Sequence, residues 1–369
     1  MKQKIIILIL ILSIFLSGSY LEENIEENLK IAEESGFLNS ISPETLEILE
    51  KAGIEELDFK ELSSVSFQNI IAIVYESFIL KLREPFEAIL TISAAAIICS
   101  LIHSFCGDFS SSGKVVDAVL TLSAASVIII PIKNTIEYSS SVITECSEFM
   151  LGFIPVYSSA VIASGYVTAA TGFRALMLSV VTLISRLSGE IVLPLICIYL
   201  ALCIAGSVSD FNIEEISKTI KNFAIWILGI SLTVFSGIMG LGSLVSASAD
   251  SAFAKTAKFI INSAVPVVGS TISDALGSIK GCIEITKNTL GVYAVFVIAA
   301  IFLPPIISLL SWKICLSVSS GICGFFGTKN LSALLIAASS VIGIMLALVI
   351  LTAVMFIFSV SIMLMTGGI

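Results

Sequence analysis

"FIPVYSSAVIASG" (Phe153–Gly165) sets a proline inside an apolar run and follows it with small residues and a glycine. Proline in a helix interior removes a backbone hydrogen bond and clashes with the preceding turn, so this stretch predicts a helix that breaks among apolar surroundings. "AVPVVGSTISDALG" (Ala264–Gly277) repeats the arrangement. A shift of 111 residues lays Pro155-Val156 on Pro266-Val267 and Ser159 on Ser270. It also lays the apolar run 115–132 on 226–243, Pro194 of "IVLPLI" on Pro305 of "FLPPII", and 223–245 on 334–356. Identities are few, but they agree at one offset. They predict an internal duplication, about 115–222 and 226–333, against the alternative of coincidence in apolar sequence. Membrane transporters are often built from such repeats, with interrupted helices at corresponding positions.

The second copy is too polar to face lipid, with Ser270, Ser273, Asp274, Ser278, Lys280 and Glu284 after Pro266. Charged or irregular backbone at membrane depth survives only against protein or water. The Pro-Val segments therefore read as broken or re-entrant helices lining a cavity. Pro155, Val156, Ser159, Pro266, Val267, Ser270, Asp274 and Lys280 are the candidate gate residues. An interfacial amphipathic helix outside the core is the competing reading.

Composition supports the membrane setting. Apolar residues make up 57% of the chain and charged residues 13%, against about 45–50% and about 25% in ordinary soluble chains. The mean hydropathy is +1.07. The fold class expected is an all-α polytopic membrane bundle. The net charge of −9 is local: thirteen acidic residues and three lysines fall between Glu22 and Glu61. Nucleic acid is excluded as a partner of that segment, because phosphate binding needs clustered Lys and Arg.

Four regions follow. Residues 1–19 have the charged start, short apolar core and small-residue end of a signal peptide, with an uncleaved anchor as the alternative. Residues 20–66 form an acidic segment placed outside the cytoplasm. Within it, Ser42 as N-cap, Pro43 at the first helical position and Gly53 as C-cap predict a short helix. Residues 67–86 predict an interfacial amphipathic helix ended by Pro85. Residues 87–369 form the membrane domain, with candidate spans at 88–105, 115–132, 150–172, 189–209, 223–245, 289–311 and 340–365. Loop cations split seven against five between the two sides, a poor orientation signal.

Catalytic signals are missing. The eight cysteines lie in or beside apolar runs without a CxxC, and His103 is the single histidine. No HExxH, Walker or GxSxG motif occurs, so neither an enzyme nor a bound metal or other cofactor is expected. Ionisable residues near the spans, among them Arg186, Glu190, Asp274 and Lys280, are candidates for a pathway or for simple pairs one turn apart. Small-residue series such as Gly321, Gly324 and Gly327 suit close helix contacts, within one chain or in a homo-oligomer.

The order of "EFMLGFIPVYSSAVIASG", the long run from "GISLTVFSG" through "TAKFI", "PVVG" and "KNTLG", and the late "LPPII" helix resembles the stage III sporulation protein AE family of endospore-forming bacteria. The resemblance is best over about 115–330. It implies a multipass protein of the mother-cell membrane facing the engulfed forespore. It further implies work in a channel or secretion-like complex encoded by one sporulation operon. The partners so implied include an ATPase, ring-forming proteins of the intermembrane space and a forespore-side membrane protein. The family brings no catalytic residues to carry over. A self-contained secondary transporter, with a site between the Pro-Val segments, is the alternative.

Overall fold

The computed structural model describes residues 41–54, 62, 65, 67–106, 112–163, 167–208, 215–216, 218–239 and 269–366. Every regular element among them is helical. In order these are α1 (Pro43–Ala52), α2 (Phe67–Cys106), α3 (Ser112–Ala163), α4 (Val167–Arg186), a π-helical turn (Leu187–Val192), α5 (Leu193–Val208), α6 (Lys218–Met239), α7 (Gly269–Phe325) and α8 (Lys329–Thr366).

Helix α1 has the ends its sequence foretells. The Ser42 side chain accepts from the Thr45 N–H, Pro43 stands in the first turn, and Gly53 closes the helix at φ 86°. That conformation is open to glycine at little cost.

The long helices correct several boundaries. Helix α2 runs for 40 residues with Pro85 inside it, so 67–86 is not a separate helix but continues into the apolar 88–105 stretch. Helix α3 runs for 52 residues through Pro131 and Pro155. It absorbs the expected span 115–132 and the first part of 150–172, while the remainder of 150–172 begins α4. The middle of α3 explains the continuity: Lys133, Asn134, Glu137, Thr144 and Glu148 are exposed, and Ile132, Ile136, Val142 and Ile143 are buried. A helical stripe of this kind packs on one side and stays polar on the other. Thr135, Ser139 and Ser147 hydroxyls donate back to carbonyls four residues earlier, which satisfies them within the helix.

Among the described residues five segments are long and apolar enough to cross a membrane: Val119–Ile162, Ala170–Gly206, Lys218–Met239, Asn288–Phe325 and Lys329–Leu364. The protein is an all-α multipass membrane bundle. Its centre is the antiparallel α7–α8 hairpin, the most extensive helix pair. Gly327 turns the chain at φ 79°, and the Thr328 hydroxyl donates to the Cys323 carbonyl at 2.9 Å. Ser332 Oγ donates to the Ser320 carbonyl (2.9 Å), and the Ser317 and Ser339 hydroxyls lie 3.0 Å apart. At the far end Gly291 faces Leu364 so closely that a Cβ there would overlap it. Such small and hydroxylated residues are how helices approach in lipid, where tails are as apolar as leucine. Trp312, Phe302 and Phe356 fill the seam, completely or almost completely buried. Helices α2 and α3 pack on α7, α3 pairs with α4, and α8 also touches α3 and α5.

Candidate functional site

The first Pro-Val segment is helical through Pro155 as far as Ala163, not broken there. Phe149, Phe153 and Tyr157, spaced by four, form one buried aromatic row with ring centroids 5.8 and 5.5 Å apart. Proline's missing hydrogen bond is outweighed here by burial of the residues on either side. The neighbours pin the helix, as they can in membrane bundles. Pro155 and Val156 are half-buried, and exposed Ser159 donates to the Val156 carbonyl at 2.6 Å.

The residues that line a cavity here are ones the sequence did not single out. Tyr157, Ser158 and Val161 of α3 meet Ala170 and Phe173 of α4 and Met363 of α8 around about 10 Å³. That is roughly one water-sized probe. The Tyr157 hydroxyl is buried there with no hydrogen-bond partner among the described residues. A polar aromatic within an apolar proline-containing run is the signal that could have found it.

Pro266 and Val267 lie outside the described residues. Ser270, Asp274 and Lys280 fall on the first turns of α7, where the backbone is described and the side chains are not. The structure thus brings Pro155, Val156 and Ser159 together on α3.

Among the described residues the helix is interrupted elsewhere, between α4 and α5. Six residues, Leu187–Val192, adopt π geometry, and the Leu193 N–H closes the turn on the Ser188 carbonyl. A π turn inserts an extra residue, rotates the faces of the helix beyond it, and often marks a functional position. Gly189 has open space around it. The Ser188 hydroxyl is buried without a partner among the described residues, while Arg186 and Glu190 are exposed. Arg186 and Glu190 form no ion pair, so the simple one-turn pair expected of them is not made. Two residues before the insert, Ser185 Oγ donates to Ser147 Oγ of α3 at 2.9 Å and ties the two helices together. Along the outer face runs an open recess of about 550 Å³, lined by Leu178, Thr182, Leu183, Arg186, Leu187 and Ile191.

A third polar cluster docks α1. The Ser42 N–H and Thr45 Oγ1 both donate to Glu145 Oε1, at 2.9 and 3.2 Å. Glu44 accepts from the Tyr138 hydroxyl (2.7 Å) and pairs with Lys81 (3.0 Å), whose ammonium lies 5.1 Å from the Tyr138 ring centre. Lys51 bridges Glu47 and Glu76. Helix α1 is thereby pinned to α2 and α3. A merely solvated helix face would carry none of these contacts.

No three His, Cys, Asp or Glu side chains group to hold a metal among the described residues. Cys146, Cys203, Cys315 and Cys323 are buried free thiols and Cys197 is exposed.

The sequence profile described as stage III sporulation protein AE matches residues 51–367. The chain belongs to the stage III sporulation protein AE family. A curated relative, stage III sporulation protein AE of Bacillus subtilis (strain 168), is 27% identical over 235 residues. That alignment covers 63% of this chain and 59% of the relative, so the match spans about three-fifths of the relative's length. No solved structure matches. The family match includes α2 to α8 almost whole, with Pro155 and the π turn. It opens inside α1, so Ser42, Glu44 and Thr45 of the docking cluster precede it.

Proposed function

We propose that this chain is a non-enzymatic membrane subunit of a channel or secretion-like complex joining mother cell and forespore, and that it forms part of the gate. Family membership supplies the sporulation setting. The observation that carries the gate reading is the π turn at Leu187–Val192, set within an apolar segment, preceded by exposed Arg186 and carrying exposed Glu190. Charged groups at membrane depth mark pathways or partner contacts. In this reading the Pro-Val pair of the proposed duplication, Pro155-Val156 with Pro266-Val267, also contributes to the gate, along with Ser159, Ser270, Asp274 and Lys280. The partners in this reading are the operon's ATPase, ring-forming proteins and forespore-side membrane protein. The chain lies in the mother-cell membrane, with its acidic segment outside the cytoplasm.

The second reading, a self-contained transporter with a site between the Pro-Val segments, rests on Pro266 and Val267, which lie outside the described residues. Genetic deletion in a sporulating strain tests the subunit reading: development stops after engulfment and late forespore gene expression fails. Normal spores from the deletion, or solute transport by the purified protein alone in liposomes, contradict it. The double variant Pro155→Ala with Pro266→Ala addresses the gate. Loss of complementation at normal membrane levels is expected, and full complementation reduces both prolines to packing.

A further inference from the structure

Four of the five candidate spans are longer than one bilayer needs. Val119–Ile162, Ala170–Gly206, Asn288–Phe325 and Lys329–Leu364 have 44, 37, 38 and 36 residues. At ~1.5 Å per residue the shortest is about 54 Å long, against a hydrocarbon core of about 30 Å. A tilt of about 40°, the top of the usual range, still leaves about 41 Å. Part of each helix therefore stands outside the hydrocarbon or beside water. Away from the ends of these segments, the charged residues are Lys133, Glu137, Glu145 and Glu148 of α3, Arg186 and Glu190 at the π turn, and Lys313 of α7.

Direct contacts set the π turn at the level of the α3 charges. Ser185 Oγ donates to Ser147 Oγ, so Arg186 and Glu148 each follow that contact by one residue. Helices α3 and α4 run antiparallel, because they meet again where Tyr157 and Val161 face Ala170 and Phe173. Glu190, five residues past Ser185, thus lies toward the same end as Glu145 and Tyr138, two and nine residues before Ser147. At ~1.5 Å per residue its level falls between theirs.

Helix α1 is bound at that same level, by Glu145, Tyr138 and Lys81. It exposes Glu44, Glu47, Glu50 and Lys51. A helix with so many exposed charges lies in water and not in hydrocarbon. Water therefore stands at the level of the π turn.

The π turn itself has a use for that water. Arg186 and Glu190 are exposed, and the turn packs on α3. The Ser188 hydroxyl is buried, 4% exposed, with no partner among the described residues. Three residues separate it from Ser185, which places both on one side of the helix. A buried hydroxyl left without a partner is costly, and a water beside other hydroxyls satisfies it.

We propose that a water-filled cleft follows the α3–α4 seam from the level of α1 to the π turn, wets Glu148, Arg186 and Glu190, and supplies the Ser188 hydroxyl with its hydrogen bond. The cleft rests on the gate reading and deepens it, because it gives the π turn an aqueous entrance from the side of the membrane on which α1 lies.

Single-cysteine variants of the full chain, the other native cysteines replaced, test this in membrane vesicles of both orientations with a charged, membrane-impermeant maleimide. Glu47→Cys on α1 reports the water side. Glu148→Cys, Arg186→Cys and Glu190→Cys should label from that same side within about ten-fold of its rate, because a thiol ionises and reacts only where water reaches it. Two exposed controls in apolar surroundings, the native Cys197 of α5 and Val354→Cys of α8, should react at least about a hundred-fold more slowly. Should replacing a charge impair insertion, Gly189→Cys, with open space around it, reads the same level and keeps every charge. Protection of the Arg186→Cys, Gly189→Cys and Glu190→Cys variants while Glu47→Cys labels, labelling from the opposite side, or controls that label as fast overturns the cleft. Deletion and complementation test the gate by spore yield, so cleft and gate fail by different measurements.

Discussion

The α7–α8 hairpin and the α4–α5 segment have similar apolar composition and opposite circumstances. The most apolar windows of α7 and α8 are 67% and 61% buried inside the protein, while that of Ala170–Gly206 is 28% buried. The hairpin is zipped by serines and a tight glycine contact and filled by Trp312. The other segment turns Leu183, Ile191 and Ile198 outward, interrupts its helix at the π turn, and carries the one acidic residue of four spans. Hydropathy records that both belong in a membrane. It does not distinguish a helix that holds the bundle together from one that offers a face to lipid or a partner. That distinction depends on which side chains meet.

Matched truncations should separate the two regions. Trp312→Ala removes a side chain 1% exposed in the hairpin seam and should cost about 3–5 kcal/mol, read as a lower unfolding midpoint in detergent. Ile198→Ala, 50% exposed on α5, should change that midpoint little. Equal losses would erase the contrast. Next in size, Glu145→Ala removes the acceptor shared by the Ser42 N–H and Thr45 hydroxyl. It should cost about 1–2 kcal/mol of local docking, seen as faster amide exchange in α1 with the hairpin unchanged. Ser317→Ala, which loses the hydroxyl pair with Ser339, should cost only about 0.6 kcal/mol. The smallest effect belongs to Lys51, whose pKa is raised above 10.5 chiefly by its hydrogen bond to Glu47. A raised folded-state pKa means that its contribution is complete below pH 10.5 and disappears as pH climbs through the higher folded value. Lys51→Met should leave α1 exchange at neutral pH almost unchanged, because the group is exposed.

Much of this fold was legible. The caps of α1 were readable to the residue at Ser42, Pro43 and Gly53, because capping is local chemistry. The membrane bundle followed from apolar run lengths. Pro85 and Pro155 misled because the cost of a proline is local while its compensation is not. The aromatic row at Phe149, Phe153 and Tyr157 and the neighbouring helices hold α3 straight through. Lys313 read as a loop residue because the candidate span ended at 311, whereas α7 continues to Phe325. The π turn left no mark in the sequence beyond an unremarkable Ser188-Gly189, since an inserted residue shows only in the hydrogen-bond pattern. The cavity at Tyr157 needed α4 and α8 brought alongside α3.

The central claim is that the face around the π turn serves the function while the α7–α8 hairpin serves the fold. Glu190→Gln alters one exposed side chain on that face and nothing in the hairpin. Spore yield from a deletion strain complemented with this variant, measured with its membrane abundance, tests the claim most directly. The account predicts wild-type abundance and a clear fall in spores; wild-type spore yield at wild-type abundance would contradict it.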